Sequence, residues 1–304
     1  MDDDRSKPEI EREWSYENKT SLDSKDFLKQ VSDHLKGAKV VSFGEIHDEN
    51  HEQDFDWLLP HQEEIVTALE KYSQIQDIVS PEPVDTLRKL LGHESPLMLE
   101  LERQKPSFNT LRESHSSRLF ALAILPLARV NGFTDIVLEG LEPSNFRHII
   151  KDKRSKDLIG DLLKCLLAML TGLRIHGIPV SGGILSTGEN VGDDLFRKTA
   201  EITDEFQDAK VLVYGGAAHN LTDPGDLSIS GPFGPIKLAK LSYAPRAIAK
   251  WGGRYISIDL FSRKTLERTK KIGDTIYGQM MDDSVKGEIT AFTHKSGQIT
   301  YIIG

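Results

Sequence analysis

Two stretches of the chain end a short β-branched run with glycine and then, three residues on, histidine. They are Lys39-Val40-Val41-Ser42-Phe43-Gly44-Glu45-Ile46-His47 and Lys210-Val211-Leu212-Val213-Tyr214-Gly215-Gly216-Ala217-Ala218-His219. A third apolar run, Thr134 to Leu138, ends in Glu139. Imidazoles and carboxylates move protons near neutral pH, and α/β sheets present such groups at the carboxyl ends of their strands. If the three runs lie in one parallel sheet, Glu45, His47, Glu139 and His219 share a rim. Two chemistries suit that set. Neutral imidazoles with carboxylates ligate a divalent ion and lower the pKa of its bound water, which is metal-assisted hydrolysis. Without metal, a histidine oriented by a carboxylate acts on water as a general base. The bland alternative is a pair of tight turns whose histidines only bond to backbone, with Glu139 capping the next segment.

Weaker candidates surround the set. Asp48 and His51 follow the first motif, and His47 with His51 has the i, i+4 spacing of two ligands on one helix face. His115 and Arg118 open the helix that feeds the Glu139 strand, where an arginine suits an anionic or carbonyl substrate. Cys165 is the single cysteine, so neither an internal disulfide nor a cysteine-based zinc cluster can form. The chain has no Gly-x-Ser-x-Gly elbow, no phosphate-cradling loop and no Gly-x-Gly-x-x-Gly, so nucleotide use is not expected.

The elements that must position these residues follow from pattern. Residues 1 to about 24 are charged and poor in apolar anchors and read as a flexible arm; residues 25–304 read as a single domain. Ser24 is the expected cap of a helix from Lys25 to Leu35, and Gly37 ends it before the Val40 strand. A helical insertion is expected over about 52–113, including Pro96 onward with Ser95 as its cap. Helices are expected over Ser114 to Val130, kinked at Pro126, over Ser155 to Arg174, and over Asp193 to Phe206, with a strand at Ile178 to Ser181. Residues 223–245, rich in Gly and Pro, read as a loop. Ala247 to Trp251 reads as a helix, Tyr255 to Leu260 as a strand, and Gly287 to Phe292 with Gln298 to Ile303 as a hairpin. Alternating helices and continuous apolar strands specify an α/β fold: a mainly parallel central sheet with helices on both faces and a C-terminal β-hairpin.

Composition narrows the classes of function. With 304 residues and a net charge of −9, the chain can bury a large core and carries no basic footprint for nucleic acid. No apolar run is long enough to span a bilayer, and the polar acidic start shows no export signal, so a cytoplasmic location is expected. The partner expected is a small-molecule or peptide substrate.

At these motifs the chain resembles the superfamily that groups TIKI and TraB proteins, erythromycin esterase-like hydrolases and ChaN haem-binding proteins. The resemblance rests on Val41-Ser42-Phe43-Gly44-Glu45-Ile46-His47-Asp48 with His51, on Gly132 to Glu139, and on Val213 to His219, within residues 38 to 260. The Gly-Glu-x-His-Asp opening looks most like the ChaN branch. The resemblance implies a site at the strand ends and either metal-dependent or histidine-based hydrolysis, or binding of haem or iron. It carries over to Glu45, His47, Glu139 and His219, and less directly to His51, His115 and Arg118. ChaN-type proteins are exported lipoproteins and use tyrosine for haem; the absence here of an export signal and of an assignable tyrosine departs from haem uptake and favours an intracellular role. A catalytically silent scaffold that keeps the rim is the third expectation.

Overall fold

The computed structural model of the chain describes residues 16–46, 60–75, 92, 95–103, 116–139, 164, 168, 171–178, 189–225, 228–231, 234–268 and 276–304. Ten strands organise these described residues: β1 Tyr16–Leu22, β2 Val40–Glu45, β3 Asp135–Glu139, β4 Arg174–Ile178, β5 Val211–Gly216, β6 Ser228–Gly231, β7 Gly234–Lys237, β8 Tyr255–Ser262, β9 Ile289–His294 and β10 Ile299–Ile303. Eight of them form one sheet in the order β1-β9-β10-β8-β2-β5-β3-β4. From β10 to β4 every neighbouring pair is parallel, whereas β1–β9 and β9–β10 are antiparallel. The α/β expectation therefore holds, and the C-terminal hairpin supplies both the last parallel strand and the turn towards the antiparallel edge.

The helices are α1 Ser24–Gly37, α2 Gln62–Ile75 and α3 Pro96–Arg103; a composite α4 of Ser116–Leu119, Phe120–Ile124 and Leu125–Val130; and α5 Glu189–Glu205, α6 Leu238–Leu241, α7 Ala244–Trp251, α8 Arg263–Arg268 and α9 Ile276–Asp283. Side chains alternate across each central strand, so the sheet carries an apolar layer on either side. Val41, Phe43, Ile136, Leu138, Leu212 and Tyr214 pack with Phe27, Val31 and Leu35 of α1 and with Phe120 and Ile124 of α4. Val40, Val137, Val211 and Val213 pack on the other face with Leu195 and Ile202 of α5 and Ala244, Ala247 and Trp251 of α7. The middle of α4 is a π-turn in which the Leu125 N–H reaches back to the Phe120 carbonyl. It lies just before Pro126, which has no N–H to give, so the expected kink takes the form of a local change of helix type.

Several boundaries differ from those expected. Residues 16–22, assigned to the flexible arm, form the exposed edge strand β1 and pair with β9. The polar residues that suggested an arm are what an edge strand needs on its solvent side. The cap of α1 is Asp23, whose side chain accepts the Asp26 N–H, rather than Ser24. Of the helix expected over Ser155 to Arg174, most lies outside the described residues, and Arg174 instead begins β4. The reason is Asp135: Arg174 and His176, two apart on one strand face, both reach its carboxylate at 2.8 Å. The loop expected over 223–245 contains the β6–β7 hairpin and α6. Ser95 caps α3 as expected, accepting the Met98 N–H at 3.1 Å. Within the 52–113 insertion, the described residues are 60–75, 92 and 95–103, which hold α2 and α3. Among the described residues, no helix is long and apolar enough to cross a membrane.

Candidate functional site

Because β8, β2, β5 and β3 run parallel, their carboxyl ends share one edge. The structure brings two of the expected residues into contact there. β5 ends at Gly216 and the chain turns through a short 3₁₀ segment, Ala217–His219, which points the His219 ring back over the strand ends. His219 Nδ1 lies 2.9 Å from the Leu241 carbonyl, and a carbonyl only accepts, so Nδ1 carries the proton. Nε2 then faces Glu139 Oε1 at 3.4 Å. The other Glu139 oxygen accepts the Gly216 N–H at 2.7 Å, which ties the end of β3 to the end of β5.

Two glycines make this arrangement possible. A Cβ at Gly215 would overlap the Glu139 carboxylate, and a Cβ at Gly192 would overlap the Leu241 carbonyl. Gly192 sits in the first turns of α5, so that helix packs close enough to hold the carbonyl against the imidazole. Burial pulls the His219 pKa down, but the Glu139 carboxylate and the Leu241 carbonyl outweigh it and the value is raised. The site therefore favours an imidazolium paired with a carboxylate.

Glu45 behaves differently. It follows Val41 and Phe43 in alternation and turns into the layer beneath α4, whereas Glu139 follows Val137 towards the α5 layer. The two carboxylates thus leave the sheet on opposite faces and flank the end of β5. Lys164 Nζ lies 3.1 Å from Glu45 Oε1, with the two side chains 5% and 3% exposed. Tyr214 donates its hydroxyl to Glu45 Oε2, and the Lys164 cation lies 4.2 Å from the Tyr214 ring centroid. A buried pair of this kind persists only when both charges are satisfied, since desolvation costs several kcal/mol per ion.

The expected residues His47, Asp48, His51 and His115 lie outside the described residues. Arg118 lies on α4, and its side chain is outside what is described. Among the described residues, no group of three or more His, Cys, Asp and Glu side chains is arranged to hold a metal ion. Several residues escaped sequence reasoning. Lys164 was visible as a charge interrupting an apolar run. Asp259 was visible as a carboxylate inside the apolar strand Tyr255–Ser262; it is fully buried, and burial pushes its carboxyl up to about 8 against hydrogen bonds from Gln298 and Asn220.

No protein-family model matches the chain, and no curated protein matches it. A solved structure described as "The structure of the type III effector HopBA1" aligns over 78% of this chain and 82% of that chain, at 13% identity and a TM-score of 0.32. A likeness of that size carries no argument about either fold or chemistry.

Proposed function

We propose that the chain is a hydrolase of the superfamily that groups TIKI, TraB, erythromycin esterase-like and ChaN proteins, acting on a small-molecule or peptide substrate in the cytoplasm. The observation that carries the reading is the doubly held imidazole: Nδ1–H on the Leu241 carbonyl and Nε2 beside the Glu139 carboxylate. This fixes the tautomer and leaves Nε2 as the atom that takes a proton, with an anion beside it to stabilise the imidazolium. On the alkaline side of the raised His219 value, where the imidazole is neutral, a water beside the pair gives its proton to Nε2 as its oxygen bonds to the substrate carbonyl carbon. The same proton then passes to the leaving oxygen or nitrogen as the old bond breaks, and the imidazole returns to its neutral form.

A divalent ion is the second reading. His219 with its far nitrogen fixed by a carbonyl, and Glu139 with its far oxygen fixed by a backbone N–H, have the outer bonds that metal ligands use. Such an ion would be held by Nε2 and Oε1, with His47 as the further expected donor, and would supply an activated water; Glu45, expected in the same ligand set, leaves the sheet on the other face and pairs with Lys164 instead. Haem binding of the ChaN type through the same rim is the competing proposal.

Turnover of a panel of chromogenic esters and peptides tests the hydrolase reading, with and without added divalent metal. Wild-type protein should hydrolyse at least one member, and His219→Ala should slow this on the order of 10²–10⁴-fold while the protein stays folded. A silent wild type, or full activity in His219→Ala, refutes it. A Soret shift on adding haem to a protein without turnover would favour the competing reading.

A further inference from the structure

The pair needs a third strand. β8 lies beside β2, and the register sets Asp259 against Gly44. The space where Gly44 lacks a side chain is filled by the Asp259 carboxylate, the Asn220 amide and the Ala217 backbone, so a Cβ at Gly44 would overlap all three. Asp259 Oδ1 faces Asn220 Nδ2 at 3.4 Å, and Oδ2 accepts Gln298 Nε2 at 2.6 Å. The Gln298 amide cannot turn round, because its oxygen accepts the Thr222 N–H at 3.2 Å and the Thr222 hydroxyl at 3.3 Å. Ser257, on the same strand as Asp259, donates to the Asn220 carbonyl at 2.7 Å. The segment that follows His219 is thus tied to β8 at Asn220 directly and at Thr222 through Gln298.

We propose that Asp259 is a positioning residue for the Glu139–His219 pair: a buried double acceptor that locks residues 217–222 against the end of β2 and so aims the His219 imidazole. The role rests on reading that pair as the working site. It explains why a carboxylate is kept in a wholly buried strand position, where an apolar side chain would pack at lower cost. Both oxygens of the ionised carboxylate meet N–H donors, so on the alkaline side of its value of about 8, where the variants are compared, an amide at this position sets donor against donor on one side. That mismatch releases the turn carrying His219 while leaving the sheet's apolar layers in place.

The test reads the imidazole directly by NMR of the full chain. In wild type the His219 Nδ1–H, held by Leu241, gives a downfield ring N–H signal protected from solvent exchange, assigned by its loss in His219→Gln. Asp259→Asn should lose that protection by tenfold or more. Adding Gln298→Glu to Asp259→Asn restores the polarity, since the introduced amide can donate to the introduced carboxylate while still accepting from Asn220, and protection should return. Asp135→Asn, at the opposite end of the strands, should lower stability without moving the signal. An unprotected wild-type imidazole, an unchanged signal in folded Asp259→Asn, or a double variant that stays unprotected overturns the proposal. Should Asp259→Asn fail to fold, the double variant decides: folded with a protected signal supports the role, and anything else refutes it. A protein that shows these signals but hydrolyses nothing retains the positioning role and loses the hydrolase reading.

Discussion

Replacing Glu139 by Gln removes one charge and almost nothing else. The glutamine oxygen can still accept the Gly216 N–H, and its NH₂ can donate to a neutral Nε2. What disappears is the anion that favours the imidazolium. A charge-assisted hydrogen bond contributes about 1.5–3 kcal/mol and a neutral one about 0.5–1.5, so the substitution costs about 1–2 kcal/mol under acidic conditions. The side chains are only 11% and 8% exposed, which leaves little discount for solvent screening. In a chain of this size the melting temperature falls by roughly 2–3 °C. The sign of the pH dependence is the sharper readout. In wild type the His219 pKa is raised, so its stabilisation is complete below the unfolded value of about 6.5 and is lost as pH rises through the folded value. In Glu139→Gln burial dominates and the folded value falls, so stability is lost instead as pH drops below about 6.5. Thermal melts of both proteins between about pH 5 and 8 should give a difference that is large at acid pH and shrinks towards alkaline pH. A difference that is flat across this range refutes the pairing.

Other substitutions read other parts of the site. Gly192→Ala pushes the Leu241 carbonyl away from Nδ1 and should reduce kcat on the order of 10²-fold, the usual cost of a misaimed catalytic group, as measured on whichever panel substrate turns over. Lys164→Met strands the Glu45 charge in the core and should cost about 3–5 kcal/mol in denaturant unfolding; Glu45→Gln in the same chain should recover part of it. For Asp135, burial raises the carboxyl pKa but bonds from His176, Arg174 and Thr134 outweigh it, so the value is lowered. Its stabilisation is therefore present above the unfolded value near 3.9 and lost as pH falls through the folded one. Asp135→Asn should cost about 2 kcal/mol at neutral pH, discounted for the partly exposed Arg174, and less in acid melts.

The sheet was legible because β2, β3 and β5 are continuous apolar runs, and runs of that kind occur where helices cover both faces. The meeting of Glu139 with His219 followed from the same rule, since parallel strands end on one edge. What the sequence could not show was the face on which each side chain leaves. Glu45 and Glu139 both end strands, yet their alternation with Phe43 and with Val137 sends them into different layers. Parity becomes meaningful only when it is known which layer each helix covers. The roles of Lys164 and Asp259 were not legible for a related reason: a charge inside an apolar run reads as an interruption until its partner, Glu45 or Gln298, is placed beside it by the fold. The edge strand β1 was hidden by its own exposure, because five of its seven residues face solvent and so resemble a loose arm.

The most direct test of the account is a double-mutant cycle on turnover with Glu139→Gln, His219→Ala and both together. If Glu139 acts only through the imidazole, the double variant should be no slower than His219→Ala alone, with all variants folded at the assay temperature. Losses that simply multiply would show that the two residues work independently, and would contradict the pair as the centre of the site.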